Sequence, residues 1–255
     1  MDFIDRDAIR KGFVGQEDGH IYFFYRPKGI EAKGPEDVSN ILFIMHPFDS
    51  KNYRLISLDS PQFPSQDARF NMVTGYVMKV DSKQNIILDE LNRKVEVVDG
   101  SARVSQASSR PCGEGVYSIV SHNDQAHLVY ILEIPRNDGK VKNELHINDE
   151  GVFLFGIYNP YYESSESQLS PSLSFPENLK ALLNNDRIIY DHIPEFLNYS
   201  GIKFALFRLP ADSLKSVKKQ IGSLPDTEKT ADILHDLRLQ KEKFPTEPMF
   251  KGKWN

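Results

Sequence analysis

Apolar positions along the chain fall mostly into runs of five to eight residues, too short for helices and bounded by turn residues. His20-Ile21-Tyr22-Phe23-Phe24-Tyr25 is rich in aromatic and branched side chains and ends at Pro27. It is apolar on both alternating faces, which predicts a strand buried on both sides and central in its sheet. Similar runs at 41–45, 53–58, 72–78, 152–158 and 202–209 predict further strands. The segments Val116-Tyr117-Ser118-Ile119-Val120 and His127-Leu128-Val129-Tyr130-Ile131-Leu132 flank His122-Asn123-Asp124-Gln125, a polar stretch that favours an antiparallel hairpin. Glycine precedes several of these strands and proline closes others, as in Gly19-His20 and His46-Pro47. Their irregular spacing argues against a solenoid or propeller.

Helical signals are fewer and late. Pro176 and Glu177 open a segment with Leu179, Leu182 and Leu183 at helical spacing. Asp212 and Asp226 or Thr227 can cap helices over 212–222 and 227–243, with Pro225 and Pro245 as punctuation. Residues 99–110 and 159–176 are rich in serine and read as loops. The second, with six serines, predicts a mobile excursion open to proteolysis. The final stretch sets Phe244, Met249, Phe250 and Trp254 among prolines that stop a helix, so it is expected to run extended and to dock on the body.

These elements predict an α+β fold in which largely antiparallel strands form a sandwich or partly open barrel, with flanking and C-terminal helices. At 255 residues, one β-rich body over 1–211, or two halves of it meeting near 99–112, precedes a helical arm over 212–255 with an extended tail. The arm holds nine Lys and Arg against seven Asp and Glu, and the body 22 against 29. An acidic body is poorly suited to a phosphate backbone, so no nucleic-acid partner is expected. The opening Met1-Asp2-Phe3-Ile4-Asp5-Arg6-Asp7 lacks the basic and apolar regions of an export signal, and no apolar run could span a bilayer. Cys112 is alone. A soluble, cytoplasmic protein without a membrane partner is the expectation, and the match at Asn198-Tyr199-Ser200 to a glycosylation acceptor then reads as chance.

Candidate chemistry is sparse. If the hairpin loop is the four residues 123–126, His122 and His127 face each other across two strands, near enough to share a metal with Asp124 beside them. The spacing is not a zinc signature, and a solvated hairpin tip is the plainer reading. His20, His46 and His146 could complete that site, but nothing in the sequence brings them to it. Cys112, in Arg110-Pro111-Cys112-Gly113-Glu114-Gly115, could be a thiolate nucleophile with Glu114 close by and a histidine as base. A small packing residue of ordinary reactivity is the more economical role. The two glycines around Glu114 lead into a strand and not into a helix carrying Lys and Ser or Thr, so they make no phosphate loop. Nucleotide-binding glycine patterns, a Gly-x-Ser-x-Gly elbow and a His-Glu-x-x-His pair are all absent from the sequence, and no cofactor is implied.

The strand Tyr22-Phe23-Phe24-Tyr25-Arg26-Pro27 together with Pro111-Cys112-Gly113-Glu114-Gly115-Val116-Tyr117 resembles a family of intracellular proteins of similar length that has no assigned activity. The resemblance therefore implies no site residue. The sequence favours a non-catalytic binding or protein-interaction domain, with a protein or small ligand as partner. The alternative is a small hydrolase or metal-dependent enzyme using His122, Asp124 and His127.

Overall fold

A computed structural model describes residues 13–65, 72–98, 101–135, 139–162, 173–183, 186–210 and 230–254. Eleven strands are present in these segments: β1 (Phe13–Pro27), β2 (Val38–Pro47), β3 (Tyr53–Leu58), β4 (Met72–Asp81), β5 (Lys94–Val98), β6 (Ser101–Gln106), β7 (Arg110–His122), β8 (Gln125–Ile134), β9 (Glu150–Tyr158), β10 (Ile188–Ile189) and β11 (Lys203–Arg208). The main sheet runs β10-β9-β11-β4-β3-β2-β1-β7-β8, and a further β8–β9 pairing closes it. The result is a closed, eight-stranded barrel with every neighbouring pair antiparallel and β10 as a short appendage. Closure leaves the barrel strands without free edges. The expected β-rich α+β fold is thus realised as a closed barrel. Among the described residues, no helix is long and apolar enough to cross a membrane.

Alternation along β1 explains why its sequence is apolar throughout. Ile21, Phe23 and Tyr25 point into the barrel, whereas Tyr22 and Phe24 point out under other elements, and all five are fully buried. The interior is filled by aromatic side chains: the Phe23 ring lies 5.0 Å from Tyr130 and 5.8 Å from Phe63, and Phe155 meets Phe204 at 5.2 Å. Offset and edge-on rings at such distances pack densely.

One end of the barrel is closed by charge. Arg54, on the inner face of β3, is 2 % exposed and donates to both carboxylate oxygens of Glu17, at 2.5 and 2.9 Å. The same guanidinium donates to Asn198 Oδ1 and to the Pro194 carbonyl of the short helical segment beyond β10, and Tyr117 donates its hydroxyl to Glu17 at 2.7 Å. Phe63 fills the opposite end against Phe23 and Phe43, where Trp254 sits edge-on to Tyr25 at 5.1 Å.

Among the described residues there are six α-helices, all short. They are α1 (Gln84–Leu91), α2 (Lys140–Glu144), α3 (Glu177–Lys180), α4 (Ile193–Phe196), α5 (Asp232–His235) and α6 (Glu247–Phe250). Residues 99–110, expected as a loop, instead carry strand β6, which returns on β5 as a hairpin beside the barrel. Its apolar residues are few and are broken by Lys94, Glu96, Arg103 and Gln106, so no continuous strand run marks it in the sequence. Of the helix expected over 227–243, the described part, 230–243, contains one turn, α5, and the tail expected to run extended contains α6. The helix expected over 212–222 and most of the 159–176 loop lie outside the described residues.

The described arm, 230–254, lies along the outer face of β1, β2 and β3. Ala231, Ile233, Leu237, Leu239, Phe244 and Met249 pack there with Tyr22, Phe24, Leu42, Ile44 and Leu55, and Ile87, Leu88 and Leu91 of α1 extend the same cluster. Arg54→Ala is expected to cost about 3–5 kcal/mol of unfolding free energy, because it leaves the largely covered Glu17 carboxylate without its cation. Chemical denaturation measures it, and a loss below ~1 kcal/mol would contradict the role given to this pair.

Candidate functional site

The hairpin at β7–β8 turns over two residues, not four. Asn123 and Asp124 both have positive φ, 51° and 57°, and the pairs are His122 with Gln125 and Val120 with His127. Two left-handed residues in succession match the twist of the strands they join. His122 and His127 are therefore diagonal neighbours on one face and not directly opposed. His122 stacks on Phe13 at 4.2 Å. His127 is 6 % exposed, and burial, reinforced by the nearby His122, holds its pKa below the ordinary imidazole value. Among the described residues, no group of three or more His, Cys, Asp and Glu is placed to hold a metal.

Cys112 and Glu114 point to opposite sides of β7. Cys112 is fully buried in the barrel interior, beside a register shift between β1 and β7, and burial pushes its thiol pKa far up. A thiol held protonated is a poor nucleophile, which assigns Cys112 to packing. Glu114 faces outward yet is only 1 % exposed. Its carboxylate accepts the backbone N–H groups of Asp232 at 3.0 Å and Ile233 at 2.7 Å, the first two residues of α5. Those amides have no partner within the helix, so a strand residue caps a helix more than a hundred positions away. The flanking Gly115 has its own reason: a β-carbon there would collide with the Ile131 carbonyl of β8.

The fold does bring His20 and His46 together. They are direct cross-strand partners on the outer face of β1 and β2, and α5 lies over them. His20 Nδ1 stands 3.2 Å from Asp232, and His46 Nδ1 stands 2.8 Å from Asp236. Asp236 also accepts the hydroxyls of Tyr22 at 2.8 Å and Tyr53 at 3.0 Å. One carboxylate of the arm thereby ties three adjacent strands. Burial by itself would raise the Asp236 pKa, but the bonds from His46, Tyr22 and Tyr53 and the His46 field outweigh it and hold the carboxyl below its usual range. His46 must then carry its proton on Nδ1 and donate it. Burial and the Asp236 charge push the Tyr53 phenol up to about 12 and Tyr22 higher than its ordinary value, so both remain donors. His46 is stacked on Tyr53 at 3.9 Å, and Phe48 meets His20 edge-on at 4.8 Å.

This cluster is chemically capable of orienting an imidazole, but it is occupied in holding the arm. Sequence reasoning named His20 and His46 without connecting them. His46 beside Pro47 at the end of β2 and His20 in the middle of β1, which extends back to Phe13 past Gly19, are paired only by register, and the four-residue spacing of Asp232 and Asp236 was the available signal. No family model matches the chain, and comparison with curated proteins and with solved structures returns no similar protein.

The Asp236 geometry sets a pH dependence. A carboxyl whose folded pKa lies below its unfolded value, about 3.9, contributes stability that is fully present above that value and is lost as pH falls through the folded one. Wild type should exceed Asp236→Asn by about 2 kcal/mol at neutral pH, and the gap should close below about pH 4. Denaturation of both proteins across this range tests the expectation. An equal gap at neutral and strongly acidic pH would contradict it.

Proposed function

We propose that the chain is a non-catalytic binding protein that takes a small ligand at the seam where its arm meets one end of the barrel. The observation that carries this reading is the position of two clefts. One, of about 280 Å³, lies between Glu242, Lys243 and Pro245 of the arm and Ile30, Ser108 and Arg110 of the barrel end. The other, of about 500 Å³, lies between Lys253 and Trp254 of the arm, Ala32 and Lys33 of the loop after β1, and Lys140 at the start of α2. The barrel interior, by contrast, is filled with rings, so a ligand held inside the strands has no support.

The groups that could do chemistry are engaged in other work. Glu114 is bonded to two amides, Asp236 to three side chains, and Cys112 is a buried thiol. A catalytic carboxylate or nucleophile needs freedom to exchange its proton with a substrate, and these lack it. The rival enzyme reading rests on His122, Asp124 and His127, and the diagonal placement and burial of His127 weaken it.

A thermal-shift survey of metabolite classes, with metal analysis of the same preparation, tests the proposal. Stabilising ligands are expected, and their effect should shrink in Asp236→Asn, whose arm is less firmly seated. Stoichiometric metal that disappears when His122 and His127 are both replaced, or turnover that does so, would overturn the binding reading.

A further inference from the structure

We propose that the smaller seam cleft is a phosphate site, with Arg110 as its buried cation. The inference rests on the seam-binding reading and names the ligand chemistry for one of its clefts. Arg110 is 7 % exposed and lines the cleft. It donates through its two terminal nitrogens to the carbonyls of Ser108 at 2.6 Å and Ile30 at 2.9 Å, and its buried Nε–H has no hydrogen-bond partner. Both acceptors are neutral. No carboxylate among the described residues lies within ion-pair distance of it, although the fields of Tyr25 and Glu247 partly offset the pKa depression that burial imposes. A buried cation is ordinarily paired, and an unpaired one is a place where a ligand can supply the missing charge.

The comparison with the other buried arginines sharpens the point. Arg54 is neutralised by Glu17, and Arg208 lies over the Phe153 ring at 5.4 Å within the packed interior. Arg110 opens on a cleft that carries further positive charge. Arg93 and Lys243 stand exposed at the rim and Glu242 is the one acid in the lining, so the lining residues have a surplus of two positive charges. That surplus matches a phosphate dianion, and a guanidinium with a spare N–H is suited to an oxyanion's directed lone pairs. The larger cleft beside Trp254 differs in this respect, because Lys33, Lys140 and Lys253 are all solvated surface cations.

Calorimetric titration of the full chain tests the site, with inorganic phosphate as one probe and glycerol phosphate as the other. Saturable one-to-one binding is expected. Tighter binding of the ester than of inorganic phosphate identifies a carried phosphate, and equal binding identifies the free anion. Arg110→Gln should weaken either probe at least about tenfold, and the rim pair Arg93→Gln with Lys243→Gln about three- to tenfold. The rim variant leaves the Arg110 bonds to Ser108 and Ile30 in place, so it decides the matter if Arg110→Gln fails to fold. Absence of phosphate binding, or binding untouched by the rim changes, would overturn the site while leaving the seam open to other ligands. Bound metal or turnover dependent on the hairpin histidines would instead sink the broader reading.

Discussion

Two carboxylates hold this molecule in its observed form. Glu114 reaches out of the barrel wall to cap α5, and Asp236 reaches back from the end of α5 to three strands. Glu114 is withdrawn from water and Asp236 partly so, a loss that is tolerable only because charged acceptors gain strong hydrogen bonds in return. The arrangement positions everything downstream of it. With α5 fixed, Ile233, Leu237 and Leu239 are carried onto the apolar outer face of β1, β2 and β3, and the chain continues to α6 and Trp254 at the barrel end. A four-residue helix has almost no stability of its own, so its persistence depends on these contacts.

The barrel supplies the complementary constraint. Closure requires strands with inward and outward faces, and here both are apolar over β1, β2 and β3, inward toward the ring-filled interior and outward toward the arm and α1. An exposed outer face of Tyr22, Phe24, Leu42, Ile44 and Leu55 would be a large adhesive patch. Covering it with the chain's own arm solves that problem and creates the seam, whose clefts arise because irregular loops meet an irregular strap without filling the space between them. Binding at the seam and cohesion of the fold are, on this account, two results of one docking event.

Much of the barrel was legible in the sequence, and the reason is local. Tyr53-Arg54-Leu55-Ile56-Ser57-Leu58 and the runs in β1, β2, β4, β7, β8, β9 and β11 carry the apolar density that strands buried on both faces require. Closure was not legible, since the β8–β9 and β4–β11 pairings depend on three-dimensional course and not on any run. The β5–β6 hairpin escaped because charged and polar residues interrupt its valines, and α1 because Ile87, Leu88 and Leu91 read equally as a short strand. For the site, residue type misled. Histidines near a turn draw attention to His122 and His127, while Glu114, a candidate only as a neighbour of Cys112, caps α5 from the barrel wall. Nothing local in Gly113-Glu114-Gly115 announces a partner at Asp232 and Ile233, and register alone makes His20 and His46 neighbours.

The most direct test of the account is hydrogen exchange, resolved by residue or short peptide, in wild type and Glu114→Gln. A glutamine can accept one amide of α5 but offers its own N–H₂ to the other, so the cap is broken with little change in volume. If the carboxylate holds the arm, amides over 231–251 should exchange much faster in the variant while those of β1, β2, β7 and β8 stay slow. Unchanged protection of the arm, or a uniform loss across arm and barrel together, would contradict it.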